Sequence, residues 1–293
     1  MFRPNFTRWL CLALLLPGLA HGAVWELTYP QPSDEENPLN QYPIQLLHLA
    51  LAETGVKYRL LPSRRHLEQG QAIKNLAAAR EISVLWSMTD ASRESQLRPI
   101  RIPIYKGLIG LRLFLVGKDN VQQVATIDSL TGLRTLKMVQ GKDWPDTKIL
   151  QFNGFDVVTS AIYDKLFGML NDGQAQLFPR SVVEIWLEQD TFGQQYPIEV
   201  EQSMGIYYPT AVYFFVNKKN TVLANLLQTG LEKALADGTF DELFERHYRG
   251  YLDNANLTKR SIFELENPVL PAGTPLNNKA LWYPVNTIKL PAQ

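Results

Sequence analysis

Apolar residues follow strand-like and helix-like spacings along most of the chain, and the order of these spacings predicts an α/β fold. Residues 24–29 alternate as a strand does, and residues 42–54 place apolar side chains at helical spacing and stop before Gly55. The patterns then predict a short strand at 58–61, a helix at 67–80 and a buried strand at 82–87. A β-α-β-α-β order predicts a parallel sheet covered by helices.

A second α/β unit follows, between two further apolar strands. Residues 111–116 and 213–216 are predicted to cross between two lobes as a hinge. This layout inserts the second unit into the first, so that lobe 1 comprises residues 23–112 and 214–250, and lobe 2 comprises residues 117–210. Strand ends and helix N-termini would then converge on a cleft between the lobes. Residues 251–293 contain five prolines and little periodicity, which predicts an extended tail packed on the body.

The first 22 residues have a different pattern, typical of a secretory signal peptide. Arg3 and Arg8 give a positive start, an apolar run covers residues 9–16, and Ala20 and Gly22 are small residues suited to cleavage before Ala23. Export to the periplasm is therefore predicted, with an uncleaved N-terminal anchor as the alternative. Cleavage would also remove the single cysteine of the chain, at position 11.

Composition excludes several classes of protein. The chain has 29 basic and 29 acidic residues, whereas a general nucleic-acid binder has a basic surplus. One cysteine cannot form an intrachain disulfide, and four scattered histidines do not predict a metal site. No nucleophile elbow, zinc-protease helix or nucleotide-binding glycine motif occurs, so neither a cofactor nor an enzymatic activity is predicted.

Five short motifs stand in a fixed order: T-D-A-S-R at 89–93 with P-I-Y at 103–105, I-D-S-L-T-G at 127–132, V-Q-G at 139–141, L-N-D-G at 170–173 and A-D-G-T-F at 236–240. In this order and spacing they resemble the periplasmic amino-acid-binding proteins of ABC transporters. The resemblance covers residues 24–250 and implies a type 2 periplasmic-binding-protein fold, whose hinged lobes close on a ligand. More particularly, the chain resembles an uncharacterised solute-binding branch that carries Q-G-x-D-W-P-D and F-P-R-S-x-x-E-I.

The resemblance implies ligand contacts from lobe 1. Arg93 matches the arginine that receives the ligand carboxylate, a role that suits its fork of N–H donors. Ser87 and Thr89 are nearby hydroxyl residues, although their spacing from Arg93 differs from the family pattern by about one residue. Tyr29 follows the first strand, where the family places an aromatic side chain. The alternatives are that Arg93 neutralises a surface helix and that Tyr29 belongs to the core or the hinge.

Lobe 2 is expected to contribute a turn and a second arginine. Gly141, Lys142 and Asp143 occupy the strand-to-helix turn whose N–H groups receive an anionic group in the family, and Trp144 follows as a possible cleft floor. Arg180 lies within about one residue of the position where the family has an aspartate for the ligand ammonium. The alternatives are a solvated Lys142, a Trp144 that serves only packing, and an Arg180–Glu184 helix pair.

Together these features predict an exported solute-binding protein. The expected ligand is small and polar or anionic, an amino acid or related carboxylate, because two guanidiniums facing one cleft favour negative charge. The expected partners are this ligand and an ABC permease or a membrane sensor, with the protein itself a monomer. The alternatives are a sensor component without transport, and a dehydratase or lyase that uses Asp143 or Glu184 on the same fold.

Overall fold

A computed structural model describes residues 24–32 and 38–284, of which residues 38 and 39 are described by their backbone only. The predicted signal peptide and the cleavage before Ala23 therefore lie outside the described residues. Within the described residues, no helix has both the length and the apolar character that crossing a bilayer requires.

Lobe 1 is built from both ends of the folded chain. Its N-terminal elements are β1 (Trp25–Gln31), α1 (Pro38–Ala52), β2 (Tyr58–His66), α2 (Gln69–Ala77), β3 (Val84–Met88), α3 (Ala91–Gln96) and β4 (Leu97–Ile100). The chain returns to it later with β11 (Val212–Asn217), α9 (Thr221–Asp237) and α10 (Thr239–Ala255). Strand β11 lies between β3 and β4, and β1 pairs with β2.

The direction of β11 corrects the expectation of a wholly parallel sheet. It is antiparallel to both of its neighbours, pairing Phe214 with Trp86 on β3 and with Ile100 on β4. The reason is topological, because β11 enters lobe 1 from lobe 2 and so runs opposite to strands that lead away from lobe 1. Strands β1 and β2 are parallel, as expected.

Lobe 2 surrounds a sheet centred on β5 (Leu111–Gly117), a strand with every residue buried. Strands β8 (Phe178–Ser181), β9 (Ile198–Val200) and β10 (Met204–Tyr207) all pair antiparallel to it. The remaining elements, in chain order, are α4 (Val121–Val124), α5 (Leu130–Leu133), β6 (Met138–Gly141), α6 (Pro145–Phe152), β7 (Val157–Ser160), α7 (Tyr163–Asn171) and α8 (Ile185–Phe192). The parallel pair β6 and β7 adjoins β8 through a bridge between Met138 and Leu177.

The chain crosses between the two sheets just before β5 and just before β11. Each of these strands belongs to one sheet, so the crossings are the preceding segments, residues 105–110 and 208–211. Backbone bonds tie the crossings together: Ile104 N–H donates to the Val212 carbonyl at 3.0 Å, and Tyr208 N–H to the Gly110 carbonyl at 3.2 Å. A Cβ at Gly110 would lie 2.1 Å from the Tyr208 carbonyl oxygen, so this close approach requires glycine.

The segment after residue 250 differs in two places from an extended tail. Residues 251–255 continue α10, and Ser261–Glu264 form β12, which pairs in parallel with β10 at the edge of the lobe 2 sheet. The first proline of this segment is Pro268, so nothing before it prevents helix or strand formation. Farther on, Trp282 covers Gly107, and Tyr283 N–H donates to the Lys106 carbonyl at 2.8 Å.

Candidate functional site

A cavity of about 420 Å³ lies between the two lobes. Strand β3 and the start of α2 form one wall, and residues from α6, α7, β8 and α8 form the opposite wall. The crossing segment 105–110 contributes Tyr105 and Ile109, and Tyr248 of α10 also lines the cavity. The predicted site residues Ser87, Trp144 and Arg180 line this cavity. Its walls therefore come from both lobes, as a closing ligand site requires.

Arg93 lies buried beside the cavity and is bonded to both lobes. It sits on α3, whose first turn is capped by the Asp90 carboxylate. Its Nη1 donates to Ser87 Oγ at 2.7 Å and to the Met88 carbonyl. Its Nη2 donates to Gln69 Oε1 at 2.8 Å and also, in lobe 2, to the Asp143 carbonyl at 2.6 Å. Burial lowers the pKa of Arg93, against the opposing pull of Asp90 and other carboxylates. Arg93 is not among the residues that line the cavity.

Arg180 is held in the lobe 2 wall by two carboxylates and two rings. Its Nε donates to Glu188 Oε2 at 2.7 Å, and its Nη2 lies 3.1 Å from Glu184 Oε2. The guanidinium also packs over the rings of Trp144 and Phe178. Burial lowers the pKa of Arg180, but Glu184 and Glu188 more than offset this effect and raise it. The ion pair between Arg180 and Glu184 is thus present, but it forms across the turn between β8 and α8 and not along a helix, and the fully buried Glu188 is an additional partner.

Arg112 forms a second buried charge cluster beside the first. It projects from β5, with its Nη2 2.5 Å from Asp146 Oδ1 and its Nη1 3.5 Å from Glu184 Oε2. Tyr208, on the crossing before β11, donates its hydroxyl hydrogen to the same Asp146 oxygen. Burial lowers the pKa of Arg112, whereas Asp146, Tyr208 and Glu184 together raise it. The hinge and the cavity wall are therefore linked by one network of charges.

Glu184 joins the two clusters and has one carboxylate oxygen left over. Its contacts with Arg180, Arg112 and the Ser181 N–H all fall on Oε2. Its side chain keeps 24% of its exposure and lines the cavity. Burial raises the pKa of Glu184, Arg180 and Arg112 pull it down, and Glu188 and Asp146 push it up. An oxygen without a protein partner at a cavity wall is suited to receive a ligand donor.

The other predicted site residues do not line this cavity. Thr89 is fully buried and donates its hydroxyl hydrogen to Glu94 Oε1 at 2.8 Å. Tyr29 packs at 6.1 Å from the Trp86 ring. Gly141, Lys142 and Asp143 border a much smaller recess next to the start of α2. Their roles as ligand contacts stay predictions.

Five residues that matter to the site were missed from the sequence, namely Arg112, Asp146, Tyr163, Glu188 and Tyr208. Arg112 had a usable signal, since it is the one charged residue in the apolar run 111–116 and a buried charge requires a partner. Glu188 lies one helical turn after Glu184, so that both face Arg180. Asp146 and Tyr208 are 62 residues apart and meet only through the fold. Among the described residues, no group of three or more histidine, cysteine or carboxylate side chains is arranged to hold a metal.

No protein-family model and no curated protein matches the chain. Solved structures match it in fold. An ancestral arginine-binding protein bound to arginine aligns over 77% of this chain and 98% of its own, with 17% identity and a TM-score of 0.57. The periplasmic VFT2 domain of BvgS from Bordetella pertussis aligns over 76% and 93%, with 13% identity and a TM-score of 0.58.

A third structure with this fold is the ancestral amino acid-binding protein AncCDT-1, described as a precursor of cyclohexadienyl dehydratase. It aligns over 77% of this chain and 95% of its own, with 16% identity and a TM-score of 0.55. The chain has the fold of periplasmic amino-acid-binding proteins. In this two-lobed fold the cavity and its charge network occupy the space between the lobes.

Proposed function

We propose that the protein is an exported solute-binding protein that closes its two lobes on a small ligand of the amino-acid class. Three observations support this function: the two-lobed fold, a cavity walled by both lobes, and the signal-peptide pattern of residues 1–22. The observation that carries most weight is the cavity itself, since its size suits a small organic molecule. The periplasm is the proposed compartment, and delivery to an ABC permease is the proposed outcome.

The charge of the cavity wall favours a ligand with a cationic group. Its described residues include two guanidiniums, Arg112 and Arg180, and five carboxylates, those of Glu68, Asp146, Asp164, Glu184 and Glu188. This balance removes the reason for expecting an anionic ligand, because Arg180 is already paired twice. A ligand ammonium is proposed to bind the unpartnered Oε1 of Glu184.

A thermal-shift screen of the purified protein tests the binding function. The panel contains the twenty amino acids, their decarboxylated amines and a set of dicarboxylates. A ligand at about 100 times its dissociation constant stabilises the folded state by about 2.7 kcal/mol, which is readily seen. Stabilisation without consumption of the ligand is expected. Absence of any stabilising compound would contradict the proposal, and steady turnover would favour the dehydratase or lyase alternative.

Export is tested separately, by the mass of the protein in its native host. The proposal expects a periplasmic protein that begins at Ala23. A mass that still includes residues 1–22 would contradict cleavage and favour the anchor. Uptake by cells lacking the protein then separates transport from sensing, because only a transport component is required for accumulation of the ligand.

A further inference from the structure

We propose that Arg93 fastens the two lobes to each other, and that the ligand is recognised through its cationic group without needing a carboxylate. This proposal rests on the function proposed above, because it names the chemical class of ligand for the same cavity. It departs from the role that the resemblance implies for Arg93, which is to receive a ligand carboxylate.

The first observation is that the donors of Arg93 are used by the protein. A guanidinium has five N–H donors, and the four on the terminal nitrogens bond Ser87, Met88, Gln69 and Asp143. The fifth, on Nε, faces Asp90 Oδ2 at 3.4 Å. Four of these five partners belong to lobe 1, whereas the Asp143 carbonyl belongs to lobe 2. Arg93 therefore has no donor left for a carboxylate while the lobes are in this position.

The second observation is the closeness of the lobes at the same place. A Cβ on Gly70, in the first turn of α2, would lie 2.2 Å from Asp143 Oδ2 and 2.9 Å from its Cγ. Any larger residue at position 70 would displace the side chain of Asp143, the residue whose carbonyl Arg93 bonds. The absence of a side chain at Gly70 and the bond from Arg93 thus serve the same contact between the lobes.

The third observation is that both guanidiniums of the cavity wall are already paired with carboxylates. Arg112 pairs with Asp146 and Glu184, and Arg180 pairs with Glu184 and Glu188, while the buried Nε of Arg112 keeps no hydrogen-bond partner. At the lobe 2 turn, where the resemblance implies an anion site, Lys142 N–H donates to the Ser160 carbonyl and Trp144 N–H to the Gly141 carbonyl. A cation, in contrast, meets Glu184 Oε1 and the aromatic side chains of Trp86 and Tyr163, which also line the cavity.

Matched ligand pairs test the chemical class. Calorimetric titrations compare lysine with cadaverine and arginine with agmatine, pairs in which the second compound lacks only the carboxylate. For any pair that binds, the amine is expected to bind within about threefold of the amino acid. An amino acid that binds a hundredfold more tightly than its amine would overturn the proposal. If glutamate or succinate binds and no cationic compound does, the proposed recognition of a cationic group is wrong, whereas the proposed binding function still holds. If no compound binds, both proposals are wrong.

A measurement without ligand tests the role of Arg93 itself. Spin labels are placed on the exposed positions Lys74 and Lys165, one in each lobe, through cysteine substitutions in a Cys11→Ser chain. Double electron–electron resonance then measures the distance between the lobes. Arg93→Ala is expected to shift the distribution toward longer distances, because the bond to Asp143 is lost. Arg98→Ala, which removes an exposed arginine that bonds the Lys218 carbonyl within lobe 1, is the matched control.

Gly70→Val provides a second route to the same result and leaves Arg93 in place. It is expected to lengthen the distance in the same direction, and it carries the test if Arg93→Ala does not fold. A residue that served only as a ligand receptor would leave the ligand-free distances unchanged. Distributions of Arg93→Ala or Gly70→Val that coincide with the unsubstituted chain would therefore overturn the proposal.

Discussion

The guanidinium carbon of Arg180 lies 4.7 Å from the centre of the Trp144 ring. Both residues were expected to face a ligand, one as a donor and the other as a floor. In the structure they stack on each other, and Glu184 and Glu188 hold the edges of the guanidinium. Arg180 is therefore a fixed part of the cavity wall, with its charge balanced before any ligand arrives.

Removal of Arg180 is expected to destabilise the fold. In Arg180→Ala, the fully buried Glu188 retains a bond only from the Tyr163 hydroxyl, at 2.6 Å. Loss of one partner from a buried pair costs about 3–5 kcal/mol. Urea unfolding measures the change. Arg249→Ala is the control, since its pair with Glu245 is largely exposed and is expected to contribute almost nothing. Equal losses in the two variants would contradict the prediction.

Glu184 is expected to make stability depend on pH in a known direction. Burial raises its pKa, so the folded state holds this proton at a higher pH than the unfolded chain does. The contribution of Glu184 to the free energy of unfolding is therefore fully present below its ordinary pKa of 4.5 and is lost as pH rises through the raised value.

The measurement is urea unfolding of the unsubstituted chain and of Glu184→Gln at several pH values from 4 to 8. As pH rises, the free energy of unfolding of the unsubstituted chain should fall relative to that of Glu184→Gln. Both chains contain the other charged groups that face Glu184, so these groups do not by themselves create the difference in stability between the two chains. They are Arg112, Asp146, Arg180 and Glu188. Parallel stability curves would show that Glu184 does not titrate as expected.

The close approach of the two crossing segments is expected to exclude any side chain at position 110. In Gly110→Ala, the added methyl group would lie 2.1 Å from the Tyr208 carbonyl oxygen. The backbone must then move in a packed region. We therefore expect the free energy of unfolding, measured with a chemical denaturant, to fall by about 1–3 kcal/mol. Gly250→Ala is the matched control, since this helical position has open space and should be neutral or gain up to about 1 kcal/mol.

The C-terminal segment is expected to contribute to stability through Trp282. Its ring covers Gly107, and its Nε1–H donates to the Pro275 carbonyl at 2.9 Å. Trp282→Ala is expected to lower the free energy of unfolding by about 2 kcal/mol. This is roughly half of what the same substitution costs at a fully buried site, because the Trp282 ring is only half-buried. Leu276→Ala, at an exposed position of the same segment, should change little. A thermal midpoint unchanged by Trp282→Ala would contradict this contribution.

Much of the fold was predictable because element order is written in short-range patterns. The strands expected at 111–116 and 213–216 correspond to β5 and β11, and the helix expected at 67–80 corresponds to α2. Strand β4 was missed, since Leu97–Ile100 includes Pro99 and an arginine and has little apolar pattern of its own. It forms because β11 pairs with it along one edge.

The site was harder to predict because its contacts join distant parts of the chain. The pair of Arg180 and Glu184 was expected from their helical spacing, but it forms across the turn between β8 and α8. In lobe 2 Arg93 bonds the backbone carbonyl of Asp143. Every residue has such a carbonyl, so the sequence does not indicate which one Arg93 bonds. Whether Arg93 reaches a ligand or the opposite lobe depends on how closely the lobes approach, which no residue pattern encodes.

The pairing of β12 with β10 adds a connection between the lobes to the two crossing segments. Helix α10 packs against α1 and α9 in lobe 1, whereas β12 extends the sheet of lobe 2, so residues 256–260 form a further connection. We expect this further connection to limit the angle through which the lobes turn. We therefore expect a smaller radius of gyration, measured by small-angle scattering, than in a chain that ends at Asn256. A narrow range of opening would make ligand entry, rather than closure, the slow step of binding.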